Sequence, residues 1–192
     1  GLVQEAAIDL PALEALLARG RDRPGDFRQS PCQRLARLFA PDNATDISLA
    51  SARMAYDGLS AGDDRWLCAD PVHLRLMRDH LLLGDAHTFE LDDAEASALV
   101  EGLNTHFRGR IEFIVGAPHR WYARLAGNDQ AETGDPLDAR LARPVEHGDL
   151  RWGRGLPPLL TEIQMHLHAH PVNAARESRG QDPINSLWLW GH

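Results

Sequence analysis

The sequence predicts an α+β domain: a mainly antiparallel sheet of two hairpins plus a C-terminal strand, with helices packed chiefly on one face. Three observations carry this. "VHLRL" alternates Val72, Leu74 and Leu76 on one side and is followed by "MRD" and "HLLLG", the pattern of a hairpin over 72–84. "IEFIV" and "RWYARL" read as a second pair of strands joined through Gly116 to His119. Between the pairs, "DDAEASALVEGLNTHF" has helical spacing, with Leu99, Val100, Leu103 and Phe107 on one face. Helices come first, then hairpins split by a helix, then helix and strand, which is the α+β order.

In "DLPALEALLAR" over 9–19, Asp9 is the expected N-cap, Pro11 lies in the first turn, and Leu13, Leu16 and Leu17 form an apolar stripe. "GRDRPGD" ends that helix. "SPCQRLARLFA" repeats its logic with Ser30 as cap and Pro31 first inside. Residues 41–64 are polar and glycine-containing, with a short helix expected near Leu49 to Leu59. "WLCA" reads as a buried strand. Asp92, with Glu95 three residues on, forms a capping box for the middle helix. Residues 126–158 are expected to form a long ordered loop, and the next helix to run from about Pro158 to Ala169, stopped by Pro171. A short helical stretch over Ala174 to Ser178 and the buried strand "SLWLWG" close the chain. The 192 residues read as a single domain, with a helical part over 1–64 and a sheet-containing part over 65–192.

Composition limits the function. With 43% hydrophobic residues the chain can bury a substantial core. No apolar run approaches the ~18 residues of a membrane span, so no membrane role is expected. A net charge of −8 argues against a nucleic-acid surface. Cys32 and Cys68 make neither a disulfide framework nor a zinc set, so a cytoplasmic location is the default. All 20 basic residues are arginines, so any anion site must use guanidinium forks, which suit phosphate and carboxylate.

Glu162, His166 and His170 are spaced to share a helix face, with His168 pointing elsewhere. They are a weak alternative metal set. The HExxH signature is missing and His170 precedes a proline, so a hydrogen-bonded histidine face is the favoured reading. No G-x-S-x-G serine and no partnered cysteine offers a nucleophile. "GDAH" over Gly84–His87 and the pairs Asp63-Asp64 and Asp92-Asp93 invite metal readings, the last explained better by a helix N-terminus. In "HPVNAAR", Asn173 and Arg176 lie three apart after a helix break and could hold an anionic group. His119 and Arg120, at the bend of the second hairpin, are the other candidate pair, and His170 is expected to line the same site. The alternative is structural: Arg176 tied to a carboxylate, and Asn173 capping a helix. Trp188 and Trp190 read as core.

"EIQMHLHAHPVNAARESRG" followed by "NSLWLWG" resembles the RpfE-type regulatory protein family, whose members are often labelled phosphoglycerate mutase-like. "WLCADPVHLRL", "LNTHF" and "RWYARL" extend the likeness over about 66–191. More distantly, the order of elements is similar to the domain inserted in archaeal-type cofactor-independent phosphoglycerate mutases, which helps close over the substrate. Arg120, the run His170 to Asn173, Arg176, and Asn185 to Gly191 fall at matching positions. The resemblance implies a cytoplasmic regulatory or small-anion-binding protein that takes a phosphorylated small acid and has no cofactor of its own. The chain departs from the enzyme in lacking its Asp-Gly metal motif, serine nucleophile and Asp-His cluster. Two alternatives stay open: a metal-dependent mutase or phosphatase whose catalytic part lies outside this chain, and a regulator acting on a protein partner. The resemblance also implies further chain at both ends.

Overall fold

The computed structural model describes residues 48–77, 81–126, 136–137 and 156–191. The two helices expected over 9–19 and 30–40, and nearly all of the loop expected over 126–158, lie outside the described residues. The described elements are α1 (Leu49–Tyr56), β1 (Trp66–Leu76), β2 (Leu81–Gly84), α2 (Asp93–His106), β3 (Ile111–Ala117), β4 (Arg120–Leu125), α3 (Leu156–His168), α4 (Pro171–Ser178) and β5 (Ser186–Trp190). The fold is α+β, and every strand pairing is antiparallel.

β1 organises the sheet. "WLCA" and "VHLRL" are one 11-residue strand that pairs with β4 over Trp66–Cys68, with β5 over Cys68–Val72 and with β2 over His73–Leu76. Pro71 lies between the last β4 partner and the first β2 partner. A residue without an N–H is tolerated at such a changeover. The amide of Asn185 carries the β5 path one step further: Nδ2 donates to Leu74 O at 2.9 Å, and Oδ1 accepts the Leu74 N–H at 2.7 Å.

The expected second hairpin joins β3 to β4. Its register shifts between Val115 and Ala117, so Gly116 marks a bulge just before the turn. Alternation sends Tyr122 to one face of the sheet, while Phe113, paired with Ala123, points to the other. α1 covers the Tyr122 face through Arg53. α2 covers the Phe113 face, where Phe107 meets Phe113 edge-on and Asn104 bonds both backbone groups of Phe113.

Asp92 caps α2, accepting the Glu95 N–H at 2.7 Å. The reciprocal half of the expected box differs: the Glu95 carboxylate turns away to two arginines, described below. α3 begins at Leu156, earlier than the sequence suggests. Pro157 and Pro158 sit in its first turn, where missing N–H groups break no helical bond. α4 likewise starts at Pro171 rather than Ala174, because His170 caps it. The core gathers Met54, Leu67, Leu99, Leu103, Trp121, Ile163, Leu187 and Trp188 from six elements, with Phe107 from the end of α2. Among the described residues no helix is long and apolar enough to cross a membrane.

Candidate functional site

The expected site residues divide between the two faces of the sheet. Arg120 opens β4 and points to the α1 side, where its Nε and Nη2 reach Asp57 Oδ1 at 3.0 and 2.6 Å. Asp57, at the C-cap of α1, also accepts the Tyr122 hydroxyl at 2.5 Å. The approach depends on Gly116. A Cβ there would lie 2.5 Å from Asp57 Oδ2 and 2.7 Å from the Tyr122 ring. The Asp57 side chain is fully covered, whereas Arg120 keeps 41% of its side chain exposed under the ring of Tyr56. Arg120 is therefore held in orientation yet open to solvent. Burial opposes the Asp57 charge, but hydrogen bonds from Arg120 and Tyr122 outweigh it and hold the carboxyl below its ordinary value.

Behind this pair lies a buried network that sequence reading missed. Arg53 places Nη1 2.9 Å from Asp70 Oδ2 and Nη2 2.7 Å from Oδ1, and donates to the Tyr122 hydroxyl and the Trp121 carbonyl. Trp190 Nε1 donates to the same Asp70 carboxylate at 2.7 Å. Burial pushes the Asp70 carboxyl up, and the bonds from Arg53 and Trp190 only partly oppose this. No local spacing announces the network: Arg53, Asp70, Tyr122 and Trp190 come from four elements. The tryptophans are core, as expected, and Trp190 also supplies the donor.

Asn173 and Arg176 belong to the other side, and both are buried. Asn173 Nδ2 donates to the carbonyls of Leu167 and Ile184 at 2.7 Å each, and Oδ1 accepts the Ile184 N–H at 2.8 Å. The amide thus clamps the end of α3 to the approach of β5; it does not cap a helix. Arg176 reaches Glu95 at 2.5 Å and the carbonyls of Asp182 and Glu90 at 2.9 Å each. Arg179 donates to the other Glu95 oxygen. The expected convergence of Arg120 with Asn173 and Arg176 is therefore not what the structure displays. Arg120 is engaged by Asp57 on the α1 side, whereas the Arg176 guanidinium lies over the Phe89 ring beside Glu95 of α2, and the groups of Asn173 and Arg176 that would meet a ligand are occupied by the chain itself.

His119 precedes Arg120 in the turn between β3 and β4. Its ring lies against Phe89 with centroids 5.2 Å apart, and its Nδ1 is buried without a hydrogen-bond partner. Burial is the main cause that lowers its pKa, with Asp85 opposing. His170 caps α4 through Nδ1 and lies on the α2 side.

The alternative metal set does not assemble. Glu162 is shared by His106 and Arg110, His170 is used as a cap, and the buried Nε2 of His166 faces Gly102. Among the described residues no group of three His, Cys, Asp or Glu side chains could hold a metal ion. "GDAH" is a turn in which Asp85 accepts the His87 N–H. In the open depression lined by Asp63, Asp64, Arg65, Glu112 and Arg124, Arg124 is committed to Asp64 and Glu112.

No known protein-family model matches the chain. Curated proteins do. The 2,3-bisphosphoglycerate-independent phosphoglycerate mutase of Methanosarcina mazei is 27% identical over 199 aligned residues, covering 94% of this chain and 47% of the mutase. That of Methanosarcina acetivorans is 26% identical over 200, with the same two coverages. Among solved structures, the cofactor-independent phosphoglycerate mutase of Thermoplasma acidophilum superposes with a TM-score of 0.51 at 17% identity, over 84% of this chain and 46% of that one. That likeness establishes shared fold. These findings support the mutase side of the sequence resemblance and give no support to the RpfE-type side. The chain is related to cofactor-independent phosphoglycerate mutases and spans about half the length of the curated relatives it matches.

Proposed function

We propose that this chain is a cytoplasmic, small-anion-binding regulatory relative of cofactor-independent phosphoglycerate mutase, and that it takes a phosphorylated small acid at Arg120. The observation that carries the reading is the state of that arginine. A covered carboxylate orients its fork while 41% of the side chain stays open. A guanidinium fixed in this way loses little freedom when it binds phosphate or carboxylate. Arg176, satisfied on every side, supports the architecture and leaves ligand contact to Arg120. The relatives' names direct the choice of ligand to a phosphoglycerate.

The test is a thermal-shift titration with 3-phosphoglycerate. Binding raises the melting temperature by mass action, by about 2.7 kcal/mol of stability at a hundredfold excess over Kd. The Arg120→Ala protein should lose the shift, and Arg120→Lys should keep only part of it, since an ammonium cannot form the bidentate contact. An equal shift in wild type and Arg120→Ala would overturn the assignment.

The coverage of about half the relatives' length favours one second reading, a metal-dependent mutase or phosphatase whose catalytic part lies outside this chain. It predicts turnover of 3-phosphoglycerate by the full-length protein with manganese or zinc present. A silent assay with intact ligand binding would leave the regulatory reading in place.

A further inference from the structure

Three imidazoles meet where α2, α3 and α4 join, away from the Arg120 side. The ring centroids of His106 and His166 are 4.9 Å apart, and those of His166 and His170 are 6.0 Å apart. The last two rings close over Gly102, where a Cβ would lie 2.8 Å from His170 Nε2 and 3.0 Å from His166 Nε2. Each ring is differently occupied. His170 Nδ1 accepts the Val172 N–H at 3.3 Å and so caps α4, while the backbone of Ala98 bonds the same ring. An imidazole accepting at Nδ1 carries its proton at Nε2. His166 Nε2 is buried with no hydrogen-bond partner. His106 Nε2 lies 2.9 Å from Glu162 Oε1, which Arg110 also holds at 2.6 Å. The charged groups against the rings are thus Glu162 from α3 and Arg110 from the turn after α2, and that carboxylate is already shared.

We infer that the α2–α3–α4 junction is an acid-sensitive joint, closed while His166 and His170 are neutral and loosened when they gain protons. A proton on His170 Nδ1 turns the cap acceptor into a donor facing the Val172 N–H, so the start of α4 loses its partner. A proton on His166 adds a charge with no acceptor at Nε2, between two other imidazoles. Burial holds both rings below the ordinary histidine value, and for His166 the neighbouring His106 and His170 act in the same direction. A folded-state value below the unfolded one fixes the sign. The joint is fully stabilising above about pH 6.5 and loses stability as the pH falls from there through the folded values. Because α4 carries Asn173 and Arg176, its loosening would release the clamp between α3 and β5.

The experiment is NMR of the full chain, following imidazole titration and amide exchange between about pH 7.5 and about pH 5.5. His166 and His170 should titrate below the ordinary range. The Asn173 and Ala174 amides should lose protection on the order of tenfold beyond the intrinsic pH effect, while the Tyr122 and Ala123 amides keep theirs. In the His166→Gln/His170→Asn protein, where Asn can still cap, α4 protection should become independent of pH. Rings that titrate at or above the ordinary value, α4 amides indifferent to pH in the wild type, or an unchanged acid response in the double variant would each overturn the proposal. If the double variant fails to fold, the wild-type titration and exchange decide. His119 titrates in the same direction beside Phe89, so protection lost at the start of β4 and kept in α4 would assign the effect there and sink the joint.

Discussion

Arg120 and Arg176 are the same residue type, each paired to a carboxylate, and the chain treats them in opposite ways. On the α4 side, Arg176 is sealed: Glu95 takes one edge of its fork and two backbone carbonyls take the rest. On the α1 side, Asp57 grips one edge of Arg120 and leaves the side chain 41% exposed. A sealed arginine ties elements together. A held but open one is ready to meet something else. The difference shows that an arginine's role follows from how many of its donors the fold has already used.

Four measurements can break or sharpen this contrast, and the largest effect belongs to the sealed side. Arg176→Ala leaves one Glu95 oxygen and two carbonyls without their partner, Arg179 still holding the other oxygen, and should destabilise the protein by about 3–5 kcal/mol, read by urea unfolding. A loss below about 1 kcal/mol would mean that Arg176 is no more structural than a surface arginine. Asn173→Ala orphans the Ile184 carbonyl and N–H, while the Leu167 carbonyl keeps the His170 N–H; at about 1–3 kcal/mol for each group left unsatisfied, with relaxation toward water, the total should be about 3 kcal/mol. On the open side, Gly116→Ala forces a methyl into the Asp57–Tyr122 contact. It should cost about 1–3 kcal/mol and, by displacing the orienting carboxylate, weaken 3-phosphoglycerate binding although Arg120 itself is intact. Unchanged affinity would show that the orientation of Arg120 does not matter. The smallest effect is a pH dependence. Asp57 has a folded-state value below its unfolded one, so its contribution is present above the ordinary aspartate range and lost as the pH falls below it. An acid titration of stability should therefore be shallower in Asp57→Asn than in wild type below about pH 4.

Much of the fold was legible in local pattern. The α2 stripe of Leu99, Val100, Leu103 and Phe107 is buried as its spacing predicts, and both hairpins form where alternation and a turn place them. Boundaries shifted where side chains outside the periodic pattern intervened. His170 lengthens α4 by capping it, and tandem prolines open α3 where a loop was expected. The candidate site was only half legible. The structural alternative for Arg176, a tie to a carboxylate, is the state observed, whereas Asn173 clamps two segments where a cap was expected. Asp57, the group that gives Arg120 its orientation, carried no signal, because nothing around 57 hints at a partner 63 residues away.

The amino-acid sequence by itself determined the kinds of element and their order, because helix and strand periods, caps and proline positions act over a few neighbouring residues. It also determined that every Lys-or-Arg position carries a guanidinium group. Only the tertiary structure decided which arginine is open. That choice depends on long-range contacts, Asp57 reaching over a missing Cβ at Gly116 to Arg120, and Glu95 turning from its own helix to Arg176. Such contacts are governed by distance in space, which no spacing along the chain encodes.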